Sequence, residues 1–353
     1  MNWNRSFTDL IRNGRPAYWG NWTLDQKIKV GSVGFVSPDS GDFTLVKEDT
    51  PGLTVGSRGA PNQWKLSSSN VQRTQANVEL DGSATDPETG VKIKAGTEVK
   101  WDFSALGSIA SEFGIASESF LTDMTQLTQP QTLQLLKQQA ASVSMGGNDA
   151  IAQGFGVVTS VIYATSGLNI GSQDNSSSFS ITGSVSAIED MLGSATAKGS
   201  FVSTNQTKSV DQHLWPYQAE TLATVPIPIA FTFASFDGSL LIPNWVTRLG
   251  AFEILFNNVP GCTYITQIQL DYDTPQGHRH DEFSLSGGLS KTVGNIPLSA
   301  TNLRAQVTFK GMINSDHYSF SWPSPLGQWL TGRREVQMTG VWPGKTQAKD
   351  IEH

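Results

Sequence analysis

The sequence predicts an α+β protein in two parts. Residues 1–240 should form a twisted antiparallel sheet with flanking helices, and residues 241–353 an all-β sandwich. Three observations predict this. The 353 residues are 38% hydrophobic and only 16% charged, with 34 Gly, a composition of many strands and turns and not of a disordered chain. Two long Ser/Thr/Gly-rich stretches alternate apolar and polar residues with period two, as strands with unlike faces do. Beyond a seam at Asp237-Gly-Ser, short strands recur with turns between them, the pattern of a sandwich.

The elements follow in order. Residues 1–30 are rich in Trp (Trp3, Trp19, Trp22) and turn residues. From Val30 to Val46, short strands flank the turn Ser37-Pro-Asp-Ser-Gly-Asp42, where Pro fixes φ and Asp and Gly tolerate tight positions. Residues 71–103 predict a long hairpin. On one arm Ala76, Val78 and Leu80 alternate with Asn77 and Glu79; on the other Val91, Ile93 and Ala95 alternate with Lys92 and Lys94, then Val99 and Trp101 with Lys100. The tip is the polar cluster Asp81 to Gly90. Between 104 and 145, Leu106, Ile109, Phe113, Ile115, Phe120, Leu121 and Met124 are spaced roughly as helix faces. A short helix is expected in "QTLQLLKQQAASV", with Thr128 as N-cap, Pro130 in its first turn and Gly146-Gly-Asn-Asp149 as its end.

The stretch "GFGVVTSVIYAT" (Gly154 to Thr165) begins like a dinucleotide loop but has Thr159 where a third Gly is required, and continues with β-branched and aromatic residues. It reads as a buried strand. A second long hairpin is expected over 177–205. Phe179, Ile181, Val185 and Ala187 alternate with Ser178, Ser180, Thr182, Ser184 and Ser186, and the return arm carries Ala195, Ala197, Gly199 and Phe201. Leu214-Trp-Pro-Tyr217 and the strand "VPIPIAFTFASF" (Val225 to Phe236) complete the first part. Sandwich strands are then expected in "GAFEILFNN", "TYITQIQLDYD", "HDEFSLSGGLS", "TNLRAQVTFKG" and "REVQMTGVW".

Catalytic patterns are missing. There is no H-E-x-x-H, no G-x-S-x-G and no complete P-loop, since Thr339 stands where the first Gly before Pro343-Gly-Lys-Thr346 would have to be. The expectation is a protein with no enzymatic activity, catalytic residue, metal or cofactor. His278 and His280 in Gly277-His-Arg-His-Asp-Glu282 could share a strand face as metal ligands do, but with no third ligand in view they read as a solvated polar loop. The single Cys262 rules out an internal disulfide framework and reads as a small buried residue. Residues 1–240 hold 15 basic and 22 acidic side chains, residues 241–353 nine of each. Neither part has the basic excess of a nucleic-acid binder. The N-terminus lacks the regions of a secretory signal, and no run of about 18 apolar residues occurs. The expectation is a protein made soluble, cytoplasmic or released by a non-classical route, that acts at membranes.

That last expectation comes from the two alternating segments. A sheet buried on one face gives such alternation. So does a strand of a membrane barrel, with apolar residues toward lipid and small polar ones toward water. On the second reading Val78, Leu80, Val91, Ile93, Phe179, Ile181, Val185 and Phe201 belong to hairpins that enter a membrane, and Lys92, Lys94 and Lys100 face the lumen. Residues from about 117 to 242 resemble the pore-forming domain of the gasdermins. That domain has an "LSV-x-P-x-x-L-x-x-L-x-x-E-R" type helix before "VVTEVL-x-T", then "FSLPG", then an "L-x-F-x-V" strand. Here "MTQLTQPQTLQLLKQQ" precedes "VVTSVIYAT", then "FSITG", then "TVPIPIAFTFASFDGSLLIP". The resemblance implies a ring-forming protein, monomeric in solution, that inserts two hairpins per subunit, about 71–103 and 177–205. The sequence departs from gasdermins in two ways: its first part is acidic where theirs is basic, and its C-terminal part reads as β where theirs is helical.

The C-terminal part is similar to the membrane-recognising β-sandwich of cholesterol-dependent cytolysins. "GAFEILFNN…LSGGLSKTVGNIPLSATNLRAQVTFKG…GRREVQMTGVWPG" parallels their "GAYVAKF", "LPGNARNI-x-V" and "RNISIWGTTLYP". In the place of their Trp-rich loop stands "HYSFSWPSPLGQW" (His317 to Trp329), and the Thr-Leu pair that reads sterol is missing. The resemblance implies docking to a membrane lipid, a surface glycan or a receptor through Tyr318, Phe320, Trp322, Leu326, Trp329 and Trp342, since aromatics suit an interface with one dry and one wet side. The alternative is a non-enzymatic, β-rich binding protein, lectin-like or structural.

Overall fold

Asn2 opens the first helix by accepting a hydrogen bond from the Arg5 backbone at 3.1 Å, which satisfies one of the free amides of the first turn. The computed structural model describes residues 1–82, 84–147, 149–193, 200–207, 209–311 and 315–352, and at 61 and 62 the backbone alone. In chain order the first elements are α1 (Trp3–Arg12), β1 (Tyr18–Gly20), β2 (Val33–Val36), β3 (Phe43–Lys47) and β4 (Val55–Ser67). Next come β5 (Val71–Glu79), β6 (Ala95–Phe103), β7 (Ile109–Leu121), α2 (Pro130–Ser142), β8 (Gly146–Gly147) and β9 (Ala150–Ile151). They are followed by β10 (Phe155–Ser172), β11 (Ser177–Gly183), α3 (Val185–Gly193), β12 (Ser203–Gln206), β13 (Val210–Trp215), β14 (Ile227–Asp237) and β15 (Leu240–Ile242). The chain divides into two units, Met1–Ile151 with Phe155–Phe233, and Ala152–Gly154 with Ala234–His353. The division runs through β14.

In the first unit a large twisted antiparallel sheet is built on β10, which is flanked by β14 and β2 and also pairs with β7 and β13. Nearly every β10 side chain is buried. A strand covered on both faces needs a run of apolar and small residues without polar alternation, and "GFGVVTSVIYAT" supplies it. A second, four-stranded sheet runs β12-β11-β6-β5. Between the two sheets lies a core of Val99, Trp101 and Phe103 from β6, Phe179 and Ile181 from β11, Ala110, Leu168 and Ile170 from the large sheet, and Ile188, Met191 and Leu192 from α3. Burying each large side chain contributes roughly 1.5–3 kcal/mol.

Three expectations are corrected here. Residues 109–121 form a strand, not helix faces. Ile109, Phe113 and Ile115, all buried, lie an even number of residues apart, which fits period two as well as a helical face, and pairing with β10 and β4 decides. The return arm of the first hairpin begins at Ala95, so Val91 and Ile93 lie in the connecting loop, where Asp86 N reaches Val91 O at 2.9 Å and Ile93 N reaches Ala84 O at 3.0 Å. The second expected hairpin strand stops at Gly183 and turns into α3, so Val185 and Ala187 are helical. Of its return arm, Ala195, Ala197 and Gly199 lie outside the described residues, and Phe201 is buried. A smaller difference is that α2 begins after Gln129, with Pro130 at its first position.

The second unit holds β16 (Phe252–Asn258), β17 (Ile265–Thr274), β18 (Gly277–Leu285), β19 (Ser290–Ile296), β20 (Thr301–Lys310), β21 (Asp316–Trp322), β22 (Arg333–Gly340) and β23 (Thr346–Glu352). One sheet runs β19-β16-β22-β23 and the other β18-β17-β20-β21. Strict alternation puts Phe252, Ile254 and Phe256 inside with Leu303, Ala305, Val307 and Phe309. Edge-on and tilted ring contacts join the sheets, Phe256 with Phe283 at 5.5 Å and Phe252 with Trp322 at 6.5 Å. Cys262 is buried, as its sequence setting suggested.

Candidate membrane-inserting segments and docking face

The first segment is an antiparallel hairpin, with Val71 opposite Phe103 and Glu79 opposite Ala95. Its register decides what each face carries. Trp101 stands opposite Arg73 and Val99 opposite Gln75, while Ala76 stands opposite Glu98 and Val78 opposite Gly96. Cross-strand partners share a face. Ala76 and Val78 therefore lie on the face opposite Val99, Trp101 and Phe103, while Val71, opposite Phe103, joins the buried face. Lys100 points the other way and pairs with Asp102 at 2.7 Å.

One carboxylate ties this hairpin to the large sheet. Glu112 of β7, almost fully buried, accepts from Arg73 Nε at 2.5 Å and Trp101 Nε1 at 3.2 Å through Oε1, while Oε2 is buried without a partner. Such a group holds its neighbours firmly because removing one partner leaves the other charge stranded. Further along β7, Glu118 does comparable work wholly within the large sheet. It takes hydrogen bonds from Tyr18 Oη at 2.6 Å, Ser160 Oγ at 2.8 Å and Arg58 Nη2 at 2.7 Å. Burial pushes this carboxyl up, but the Tyr18, Arg58 and Ser160 bonds outweigh it and hold the group below the usual carboxylate range. Burial, with the bond to Glu118, pushes Tyr18 up to about 12.

The second segment contains α3. Ser184 starts it, with Oγ accepting from Ala187 N at 3.1 Å and donating to Asp86 Oδ2 at 2.7 Å. Asp86 also accepts from the Glu88 and Thr89 backbones; burial opposes its charge, and these bonds with that from Ser184 hold it below the usual range. The other end of α3 is held by Ser166 Oγ, 2.9 Å from the carbonyls of both Asp190 and Met191, and by Gln63, whose amide contacts the Leu192 carbonyl. Beside Ser166, Gly167 has φ +146°, and a Cβ there would stand 2.3 Å from the Glu112 carbonyl. Only glycine fits where β7 and β10 shift register.

The six residues expected to dock are distributed otherwise. Tyr318, Phe320 and Trp322 share the inward side of β21. The Tyr318 hydroxyl donates to the Thr346 carbonyl at 2.7 Å, and Trp322, 1% exposed, donates to Asp350 at 3.1 Å. Leu326 is fully buried, and the half-buried Trp329 ring lies 4.9 Å from the Arg334 guanidinium. The aromatics of "HYSFSW" thus alternate into the core, and the side chains turned outward are His317, Ser319 and Ser321. Trp342 alone of the six is an exposed tip residue, at 54%, beside Val341 at 62%. The fold adds Ile265 and Leu289, both 55% exposed. They flank the same end of the sandwich, where Trp342 N reaches Thr263 Oγ1 at 2.7 Å, Thr263 N reaches Gly340 O at 3.0 Å and Gly288 N reaches Val259 O at 3.2 Å. Val341 lay within the quoted "TGVWPG" motif, but nothing in the sequence paired it with Leu289.

No helix among the described residues is long and apolar enough to cross a membrane, and among them no group of three or more His, Cys, Asp or Glu could hold a metal ion. No family model matches the chain, and no curated protein does. Among solved structures, a Gram-negative toxin aligns over 93% of this chain and 85% of its own, at 9% identity and TM-score 0.24. A disulfide-locked mutant of intermedilysin with human CD59, and pneumolysin, each align over 95% of this chain and 87% of theirs, at 10% identity and TM-score 0.22. The gasdermin likeness is not specifically supported. Alignments this loose carry no argument about function.

Proposed function

We propose that the protein forms pores: a soluble monomer docks through the sandwich tip, assembles as a ring, and inserts the segments 71–103 and 177–205. One observation carries the reading. Strands of both segments share a single four-stranded sheet that packs on the large sheet through the Trp101 core and is tied to it by polar bonds, Glu112 foremost. A sheet attached in this way can leave without dismantling β7 and β10. The edge strand β4 supports assembly. It hydrogen-bonds to β7 on one side, and no strand among the described residues pairs with its other side, which is a template for a neighbouring copy. The exposed Val341 and Trp342 suit a lipid interface. The acidic first part does not favour an anionic leaflet. No catalytic step is proposed.

The test mixes the full chain with dye-loaded vesicles, neutral, anionic and sterol-containing, with and without limited proteolysis near residue 240. Leakage with ring-shaped oligomers is the expected result. A disulfide pinning β5–β6 to β7 should then abolish leakage and spare vesicle binding. No leakage and no oligomer on any vesicle would overturn the reading in favour of a β-rich binding protein.

A further inference from the structure

The outer face of β18-β17-β20-β21 carries a cavity of about 720 Å³. Its making is legible in the register. Burial of Ile268 and Leu270 turns Gln269, Asp271 and Asp273 outward on β17. Pairing then sets His280 and Arg304 on either side of Asp271, and His278 opposite Asp273. His278 and His280 are strand residues on one face, not part of a polar loop as their sequence suggested.

The side chains are fixed before any ligand arrives. Asp273 accepts from Asn302 Nδ2 at 2.7 Å through Oδ2 and meets His278 Nδ1 at 2.8 Å through Oδ1. Asp271 meets His280 Nδ1 at 2.7 Å, and His278 Nε2 lies 3.3 Å from the same oxygen. The bonds from Asn302 and His278 hold Asp273 below the usual carboxylate range. Arg304 stands 4.0 Å from Asp271 with its side chain 68% exposed, so its donors point to solvent. Pro323, exposed at one wall, gives it an apolar patch, with Leu303 and Trp322 buried behind it.

The chemistry narrows the occupant. A metal is disfavoured, since no ligand group of three forms among the described residues. A phosphate or sialic acid would meet two carboxylates. A greasy ligand would strand the rim of carboxylate, amide, imidazole and guanidinium groups. A neutral sugar ring suits the lining: adjacent hydroxyls both donate and accept, so they can pair with a carboxylate and an amide or guanidinium at once, and the C–H face of the ring can rest on the exposed Pro323. We propose that this cavity binds a neutral pyranose of a cell-surface glycan. The inference stands apart from pore formation and needs no membrane step.

The test is an array of neutral and sialylated oligosaccharides held on inert linkers, probed with the full chain, with neutral glycolipid vesicles as a second arm. Binding to neutral sugars in either arm is expected, and the arm tells whether the sugar is carried on lipid. Asp273→Asn and Arg304→Ala should each weaken it about tenfold, the loss of one charge-assisted hydrogen bond, with melting temperature unchanged. Asp271→Asn serves as the replacement if Asp273→Asn disturbs folding. Lys310→Ala, exposed at the other end of β20 and outside the cavity, should leave sugar binding intact. Failure to bind any neutral glycan, preference for sialylated ones, or binding that survives both substitutions would overturn the proposal. Vesicle leakage is measured separately, so either idea can fail alone.

Discussion

The two segments that share the smaller sheet are held by different means. β5–β6 is already a hairpin, fixed to the large sheet by a buried carboxylate and one apolar face. In the second segment β11 gives way to α3, which rests on Ser184 at one end and Ser166 at the other, with Ala187, Ile188, Met191 and Leu192 buried. Under the pore-forming reading the first segment would depart with the pairing between its own arms intact. The second would first have to lose a helix, and one of nine residues has little stability of its own. What retains it is packing and caps. The difference teaches that one sheet can store one element ready-made and another in a form that has to be rewritten.

Four measurements sharpen or break this contrast. Trp101→Ala removes the ring that both segments pack against, and should cost about 3–5 kcal/mol by the usual scale of large-to-small core changes. Urea unfolding of the first unit measures it, and a loss below about 1 kcal/mol would mean the shared core is not what holds the segments. Glu112→Gln should cost about 2 kcal/mol, between a lost charged hydrogen bond and a broken buried pair. Amide exchange should quicken in β5–β6 far more than in β11 or α3, whereas Glu118→Gln should spare the hairpin. Equal quickening in all strands would end the idea of a specific tie. Ser184→Ala should cost about 1 kcal/mol as a lost cap, with faster exchange in α3; unchanged α3 exchange would contradict the role given to Ser184.

The smallest effect is a pH dependence confined to the large sheet. Glu118 is depressed, so its stabilisation is present above the ordinary value of roughly 4.3 and is lost as pH falls through its folded value. Tyr18 is raised to about 12, so its contribution is full below roughly 10 and is lost as pH rises toward the folded value. The urea midpoint should fall at both ends. Tyr18→Phe should remove part of the alkaline fall, and a variant with an unchanged alkaline limb would refute the assignment.

The sequence revealed strands wherever alternation was strict and one-sided: the arms at 71–79 and 95–103, and the sandwich strands. It misled where two periods coincide. Ile109, Phe113 and Ile115 fit a helix face and a strand equally, and only the partners β4 and β10 decide. Val185 and Ala187 continue the alternation of Phe179 and Ile181, yet Ser184 can cap a helix, and Ile188, Met191 and Leu192 then follow at helical spacing. The docking residues were misplaced for a related reason. Aromatic content marks a segment as important but does not say which face of a strand looks inward, and the odd–even position on β21 put Phe320 and Trp322 with the core. The His–Asp cavity was out of reach altogether, because it needs Asp271, His280 and Arg304 from three strands in register.

The bond between Asp86 and Ser184 joins the loop of the first segment to the start of α3. One hydroxyl thereby serves as hinge pin for both. Pulling the hairpin away removes the carboxylate that orients the capping hydroxyl, and melting the helix frees the hairpin loop. Under the pore-forming reading the two departures are thus a single event with a single barrier. Time-resolved leakage from one vesicle population should then follow one exponential, without a resting stage in which half of the material has crossed.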